Sequence, residues 1–202
     1  GAAAALCGKL IEKNPDRPDL WLLQANAYIG QNKPLEAAEV FEFVDHLGKS
    51  TADTLNMLGD IYVNEKLYDM AADSYVRAMK KNPEEKHERA IYSAKVLSAR
   101  AAMEETKQLI KEIQKLYADT MKDQTRKELL KIQARIAVAE GEGEEEVEVL
   151  KKIVELDPLD GEALILLGQN AARKGNDEKA IFYFERASKI EGCEADSNLR
   201  HG

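Results

Sequence analysis

Hydrophobic and polar positions along the chain alternate with the helical period of three to four residues, in blocks of a dozen or so separated by short polar turns. The blocks repeat. Trp21, Tyr28, Ala37 and Phe41 recur 34 residues later as Leu55, Tyr62, Ala71 and Tyr75. Nearer the C-terminus, Leu130, Ala134, Leu150 and Ile153 recur 34 residues later as Leu164, Gly168, Phe184 and Ala187. Each unit therefore predicts two amphipathic helices joined by a turn, with the turns at Gly30 to Pro34, Asn64 to Leu67, Gly141 to Gly143 and Lys174 to Asn176. Pro83 and Pro158 fall at the ends of units, where a missing backbone N–H is tolerated.

In phase, Leu55, Leu58, Gly59 and Tyr62 are followed by Ala71, Tyr75 and Pro83. Leu164, Leu167 and Gly168 are followed by Ala180, Phe184 and Ala187, and the first unit supplies Trp21, Ala25, Tyr28, Ala37 and Phe41. This pattern resembles the tetratricopeptide repeat, W-x2-L-G-x2-Y, then A-x3-F, then Pro, over nearly the whole chain. The resemblance implies an all-α fold, a right-handed superhelical solenoid of antiparallel helix hairpins. Physically, small residues (Ala25, Gly59, Ala134, Gly168) let the two helices of a hairpin approach, and Ala37, Ala71 and Ala180 do so from the second helix. The large residues, Trp21, Tyr28, Phe41, Tyr62, Tyr75 and Phe184, are expected to fill the spaces between hairpins.

The units read as 18–51, 52–85, 86–126, 127–160 and 161–192, forming one continuous domain. Unit 86–126 is longer and degenerate. Its register is set by Ala94, Ile110 and Ile113, with Thr106 at the small position after the turn and a second helix expected to run to about Asp119. The fourth unit carries Glu146 where alanine is usual, and a hinge is expected near 115–126. Residues 1–17 look like the second helix of a truncated repeat and 193–202 like a tail or the start of a further helix, so the chain is expected to be part of a longer protein.

Charge narrows the function classes. The net charge is −8, which disfavours nucleic acid as a partner. The balance is uneven: residues 1–85 carry 9 basic against 14 acidic side chains, and 86–126 carry 9 against 6. Lys107, Lys111 and Lys115 line one face of a predicted helix, read as a solvated face with docking of an acidic partner as the alternative. No apolar run approaches the ~20 residues that span a bilayer, so no direct membrane insertion is expected. Ala4-Ala5-Leu6-Cys7 is a poor lipoprotein box, since Leu6 stands where a small residue belongs. Cys7 and Cys193 lack metal-ligand spacing and are read as free thiols that leave the compartment open.

Catalytic chemistry finds little footing. His46, His87 and His201 form no metal or catalytic spacing, and His46 reads as a partly exposed packing residue. Glu144, Glu145, Glu146 and Glu148 read as a helix start that complements the macrodipole and an amphipathic edge, not a cation site. No enzyme activity, cofactor or metal is expected. The family resemblance implies that ligands lie in a concave groove lined by the first helices of the hairpins. Stepping opposite the buried stripe places Asp19, Leu22, Asn26, Asn56, Asp60 and Asn64 there from the first two units, and Lys131, Arg135, Gln169 and Arg173 from the last two. Asparagine amides suit an extended peptide backbone, and Lys131, Arg135 and Arg173 together suit a carboxylate. The clamp by which some family members grip a chaperone C-terminus is not this one. Asn26 matches, but Leu22, Met57, His87 and Ile91 replace its lysines, second asparagine and arginine.

The reading is a non-enzymatic scaffold or adaptor that holds a peptide or partner protein. The alternatives are a regulatory or substrate-docking segment of a larger enzyme, and a self-associating structural array.

Overall fold

The structure, a computed structural model, describes residues 2–83, 87–140 and 143–190. Gly141, Cys193, His201 and the 193–202 tail lie outside the described residues. Among the described residues there are eleven α-helices and no strand: α1 (Ala2–Lys13), α2 (Pro18–Ile29), α3 (Pro34–His46), α4 (Ala52–Asn64), α5 (Tyr68–Lys81), α6 (Glu88–Ala99), α7 (Met103–Tyr117), α8 (Asp123–Glu140), α9 (Gly143–Leu156), α10 (Gly161–Arg173) and α11 (Asp177–Ser188). The fold is an all-α helical repeat. Helices pair as hairpins α2/α3, α4/α5, α6/α7, α8/α9 and α10/α11, and α1 packs on α2. The chain forms two compact units, residues 1–118 and 119–202, and their boundary lies inside the stretch 115–126 where the repeat pattern breaks.

Four of the hairpin turns share one device. Asn32, Lys66, Ala101 and Gly175 each adopt positive φ (57°, 62°, 58° and 69°) just past a first helix. The next N–H then bonds back to a carbonyl of the last turn: Lys33 to Tyr28 (3.0 Å), Leu67 to Tyr62 (2.8 Å), Ala102 to Leu97 (3.1 Å) and Asn176 to Ala171 (2.9 Å). This satisfies carbonyls that a helix end would leave orphaned and reverses the chain within three residues. Helix starts are set by side chains. Thr51 forms a reciprocal cap with Thr54, Asp160 accepts from the Ala163 N–H and Asn176 from the Lys179 N–H, while Pro18 and Pro34 occupy first-turn positions.

Inside the hairpins the small residues act as expected, and two large aromatics do more than border the next hairpin. Tyr75 lies beside Arg89, Ala90 and Tyr117 of the following hairpin, but it and Phe184 also pack inside their own. Their rings lie on the glycines of their own hairpins, so close that a Cβ on Gly59 would stand 2.4 Å from Tyr75 Cε1 and one on Gly168 2.6 Å from Phe184 Cε1. Trp21 and Tyr28 are only half-buried; the Trp21 indole N–H donates to the Pro15 carbonyl (2.9 Å) and its ring tilts against Phe43 at 4.4 Å. Around these contacts Leu55, Leu58, Leu97, Leu109, Ile113, Leu150, Ile153 and Leu164 are essentially sealed from water, each worth ~1.5–3 kcal/mol of burial.

The long third unit also resolves differently. α7 stops at Tyr117, short of Asp119, and the extra length appears as an additional N-terminal turn on α8, which begins at Asp123 rather than 127. Ala94, Thr106, Ile110 and Ile113 are all buried as the register requires. Thr106 tolerates its buried hydroxyl by donating to the Ala102 carbonyl at 2.6 Å.

Two glycines should respond to the same substitution with opposite signs. Gly8, in the middle of α1, would meet only Gln24 Nε2 at 3.6 Å, so Gly8→Ala is expected to stabilise by up to ~1 kcal/mol through helix propensity. Gly59→Ala gains the same propensity but must displace Tyr75, and overpacking of ~1–3 kcal/mol wins. Urea denaturation of the two variants checks this, and a shift in the same direction for both would refute the ring-on-glycine account.

Candidate functional site

The first helices line recesses in each compact unit. In residues 1–118, Asp60, Val63 and Asn64 of α4 face Tyr92, Val96 and Arg100 across an open groove of about 460 Å³. Asp60 is already paired within its compact unit. Its carboxylate accepts from the Tyr75 hydroxyl (2.8 Å) and from Arg89 (2.6 and 2.7 Å). Burial, then that bond to Asp60, push the Tyr75 phenol well above its ordinary pKa, so it stays a donor. Arg89 is thereby held over the ring of Tyr92, 5.1 Å from its centroid, and Tyr92 offers the groove an exposed aromatic ring braced by a cation. The side chains of Asn64 and Arg100 are exposed and make no hydrogen bond or ion pair with any described residue. Both are donors free for a ligand.

The other expected groove residues of this unit lie outside this groove's lining. Asp19 is exposed and paired with Arg17 at 2.6 Å, and the Arg17 bond holds its carboxyl below the usual range. Leu22 is half-buried and Asn26 exposed on α2. Asn56 is half-buried over a small recess bounded by Tyr75, Arg89 and Tyr117. Tyr92 and Arg100 were not legible as groove residues. Stepping from Ala94 as from Gly59 gives Ile91, Lys95 and Ala99, so the offsets of the regular units miss both.

In residues 119–202, a 240 Å³ pocket opens between α8 and α10 over Leu150 and Ile153 of α9. Its walls are Ala134 and Val138 on one side, Ala163 and Leu166 on the other, with Lys131 and Arg135 at the rim. Lys131 is engaged by Asp160 (2.8 Å) and Glu162 (3.3 Å). Burial works against its charge, but those two carboxylates outweigh it and hold the ammonium above its ordinary pKa. Arg135 is exposed and makes no hydrogen bond or ion pair with any described residue. Gln169 is half-buried.

Arg173, expected beside Lys131 and Arg135, is turned to a different partner. It donates to Glu146 of α9 at 3.2 and 3.4 Å, and Asn170 donates to the same carboxylate at 3.2 Å. Glu146 is therefore not part of a solvated acidic edge. It occupies the small-residue position of its hairpin, only 3% exposed, while Glu144, Glu145 and Glu148 remain in water. A carboxylate replaces the usual alanine because α10 supplies an amide and a guanidinium to receive it.

The remaining chemistry is sparse. Among the described residues, no group of His, Cys, Asp or Glu is arranged to hold a metal ion, and no helix is long and apolar enough to cross a membrane. Cys7 is a buried free thiol. His46 is exposed on α3, with Nδ1 2.8 Å from the Glu42 carbonyl. Lys107 lies 3.7 Å from Glu104, and Lys80 of α5 reaches Glu112 of α7 at 3.8 Å.

The tetratricopeptide-repeat pattern matches residues 1–45, 52–85 and 161–192. The chain belongs to the tetratricopeptide-repeat family. Its repeats form the fold of a protein-interaction scaffold, a module that is typically not catalytic. Among solved structures it is similar to YrrB, a TPR protein with an unusual peptide-binding site, at 21% identity over 98% of both chains and a TM-score of 0.54. It is similar to PilF of Pseudomonas aeruginosa at 15% identity over 90% of this chain and 80% of that one, TM-score 0.54. MamA of Desulfovibrio magneticus RS-1 aligns at 18% identity over 87% of this chain and 96% of that one, TM-score 0.50. These likenesses speak to the fold alone. No curated protein sequence matches the chain.

The Glu146 pair makes an asymmetric prediction. Arg173→Ala strands a buried carboxylate on a single amide and is expected to cost ~1–2 kcal/mol, less than a fully buried pair because Arg173 is largely exposed. Glu146→Ala restores the family's small residue and should change stability by less than ~1 kcal/mol. Denaturant midpoints would decide it. A larger loss in Glu146→Ala would mean the carboxylate itself stabilises this repeat.

Proposed function

We propose that this chain is a non-enzymatic scaffold or adaptor whose first-helix grooves hold a peptide or a helix of another protein. The observation that carries the reading is the α4–α6 groove. Asp60 is paired within its compact unit, its charge met by Arg89 and its oxygen bonded by the Tyr75 hydroxyl, whereas Asn64 and Arg100 are exposed beside the ring of Tyr92 and make no bond to a described residue. An amide and a guanidinium beside an aromatic ring can donate to the carbonyls of an extended segment while the ring covers an apolar side chain. YrrB, described as having an unusual peptide-binding site, is a precedent for a repeat of this kind serving such a role.

The test is affinity capture with this chain, identification of the bound protein, and titration of the purified pair. Asn64→Ala with Arg100→Ala is expected to weaken the complex at least about tenfold with unchanged circular dichroism, because both side chains are exposed and unbonded. Equal affinity of parent and double variant would place the partner elsewhere.

Self-association is a second reading, favoured by one observation. α1 buries Ala4, Cys7 and Ile11 against its neighbour but leaves Leu6 and Leu10 60% and 38% exposed, and α11 leaves Phe182 54% exposed. Light scattering across a concentration series should show a mass that rises with concentration in the parent and not in Leu6→Glu/Phe182→Glu. A concentration-independent monomer removes this reading.

A further inference from the structure

The α8–α10 pocket has a different chemistry from the groove of the first unit, and it narrows the kind of partner that fits. Its floor and walls are Leu150, Ile153, Ala134, Ala163, Val138 and Leu166, with Lys131, Arg135, Asp160 and Glu162 as its charged lining, so water against the apolar floor finds little to bond. At 240 Å³ it exceeds the ~150 Å³ that suffices for a benzene ring in an apolar cavity, and thus has room for a leucine, phenylalanine or tryptophan side chain. The small residues at its walls, Ala134 and Ala163, are the ones that keep the helices thin enough for the space to exist.

The rim adds a sign. Lys131 is paired with Asp160 and Glu162, which also line the pocket, so their charges are matched among themselves. Arg135 stands one helical turn further along the same face of α8 and has no carboxylate of its own. An exposed guanidinium beside a pocket that expels water favours a carboxylate there, with geometry that allows two parallel hydrogen bonds. A long side chain at the rim can meet a carboxylate two residues from the anchored side chain in an extended segment, or three to four residues away on a helix.

We propose that this pocket takes a large apolar side chain from a segment of a partner protein that carries an aspartate or glutamate two to four residues away, bound by Arg135. The proposal rests on the groove reading above but assigns a separate recess and a defined partner chemistry.

The test uses the whole chain and a display library of random peptides with blocked termini. Enriched peptides should pair Leu, Phe or Trp with Asp or Glu at that spacing. For a fluorescently labelled enriched peptide, followed by anisotropy, replacing its acid by the amide should weaken binding about tenfold, and replacing its apolar residue by alanine at least as much. Val138→Glu, at a half-exposed wall position, should abolish binding. Arg135→Gln should weaken the parent peptide about tenfold and leave the amide peptide nearly unaffected, since the two changes remove the same contact. Retained helicity in both variants excludes unfolding. Enriched peptides without an acid, additive losses in the Arg135→Gln cycle, or no enrichment would each overturn the proposal. Peptides insensitive to Val138→Glu but lost in Asn64→Ala/Arg100→Ala would overturn it as well, and would leave the first groove as the binding site.

Discussion

Everything in this fold depends on how closely two helices of a hairpin can approach, and that distance is decided at one position per hairpin. Where Gly59 or Gly168 stands, an aromatic ring from the second helix comes against the backbone of the first, with no room for a methyl group. Where the position is Ala25, Ala94 or Ala134, a side chain of similar smallness is fully buried. A thin hairpin exposes an apolar edge on both sides and cannot be stable alone, so each unit is held by its neighbours. The positive-φ turn at Asn32, Lys66, Ala101 and Gly175 completes the constraint by returning the chain at a set angle.

The surfaces between hairpins vary more than the hairpins do. α5 meets its successors with apolar Val76 and Met79. The positions of α3 that lie 34 residues earlier are Glu42 and Asp45, and they bond instead to Arg77 (2.9 and 2.5 Å) and, from Glu42, to the Tyr62 hydroxyl (3.1 Å). One arginine thus serves two carboxylates from a neighbouring hairpin and Asp73 from its own helix. Glu146 repeats the theme in the second compact unit, where a charge replaces alanine and α10 neutralises it. Such pairs add little net stability compared with apolar packing, but they tolerate only one partner arrangement.

The same pairing decides what is left for recognition. Asp19, Asp60, Lys131 and Arg173 are all engaged by neighbours within their own compact unit. Charge counted along the chain therefore overstates the charge that a ligand meets. Among the side chains that line the two recesses, Asn64 and Arg100 beside Tyr92 in one unit and Arg135 beside an apolar pocket in the other make no bond to a described residue.

The sequence by itself determined the helices, the hairpin pairing and the family, because these follow from local periodicity, from glycine and alanine at set intervals, and from turn residues. It also determined that Thr106 and Ile110 belong to the buried register of the irregular unit. Only the tertiary structure decided that Tyr75 and Phe184 pack within hairpins, that the surplus residues lengthen α8 rather than α7, and that Glu146 is buried. It alone separated Arg135, which is free, from Lys131 and Arg173, which are not. The physical reason is range. A helix and its caps are set by residues three or four apart, whereas an ion pair such as Lys131–Asp160 or Arg173–Glu146 joins residues on different helices and depends on side-chain directions that no linear spacing encodes.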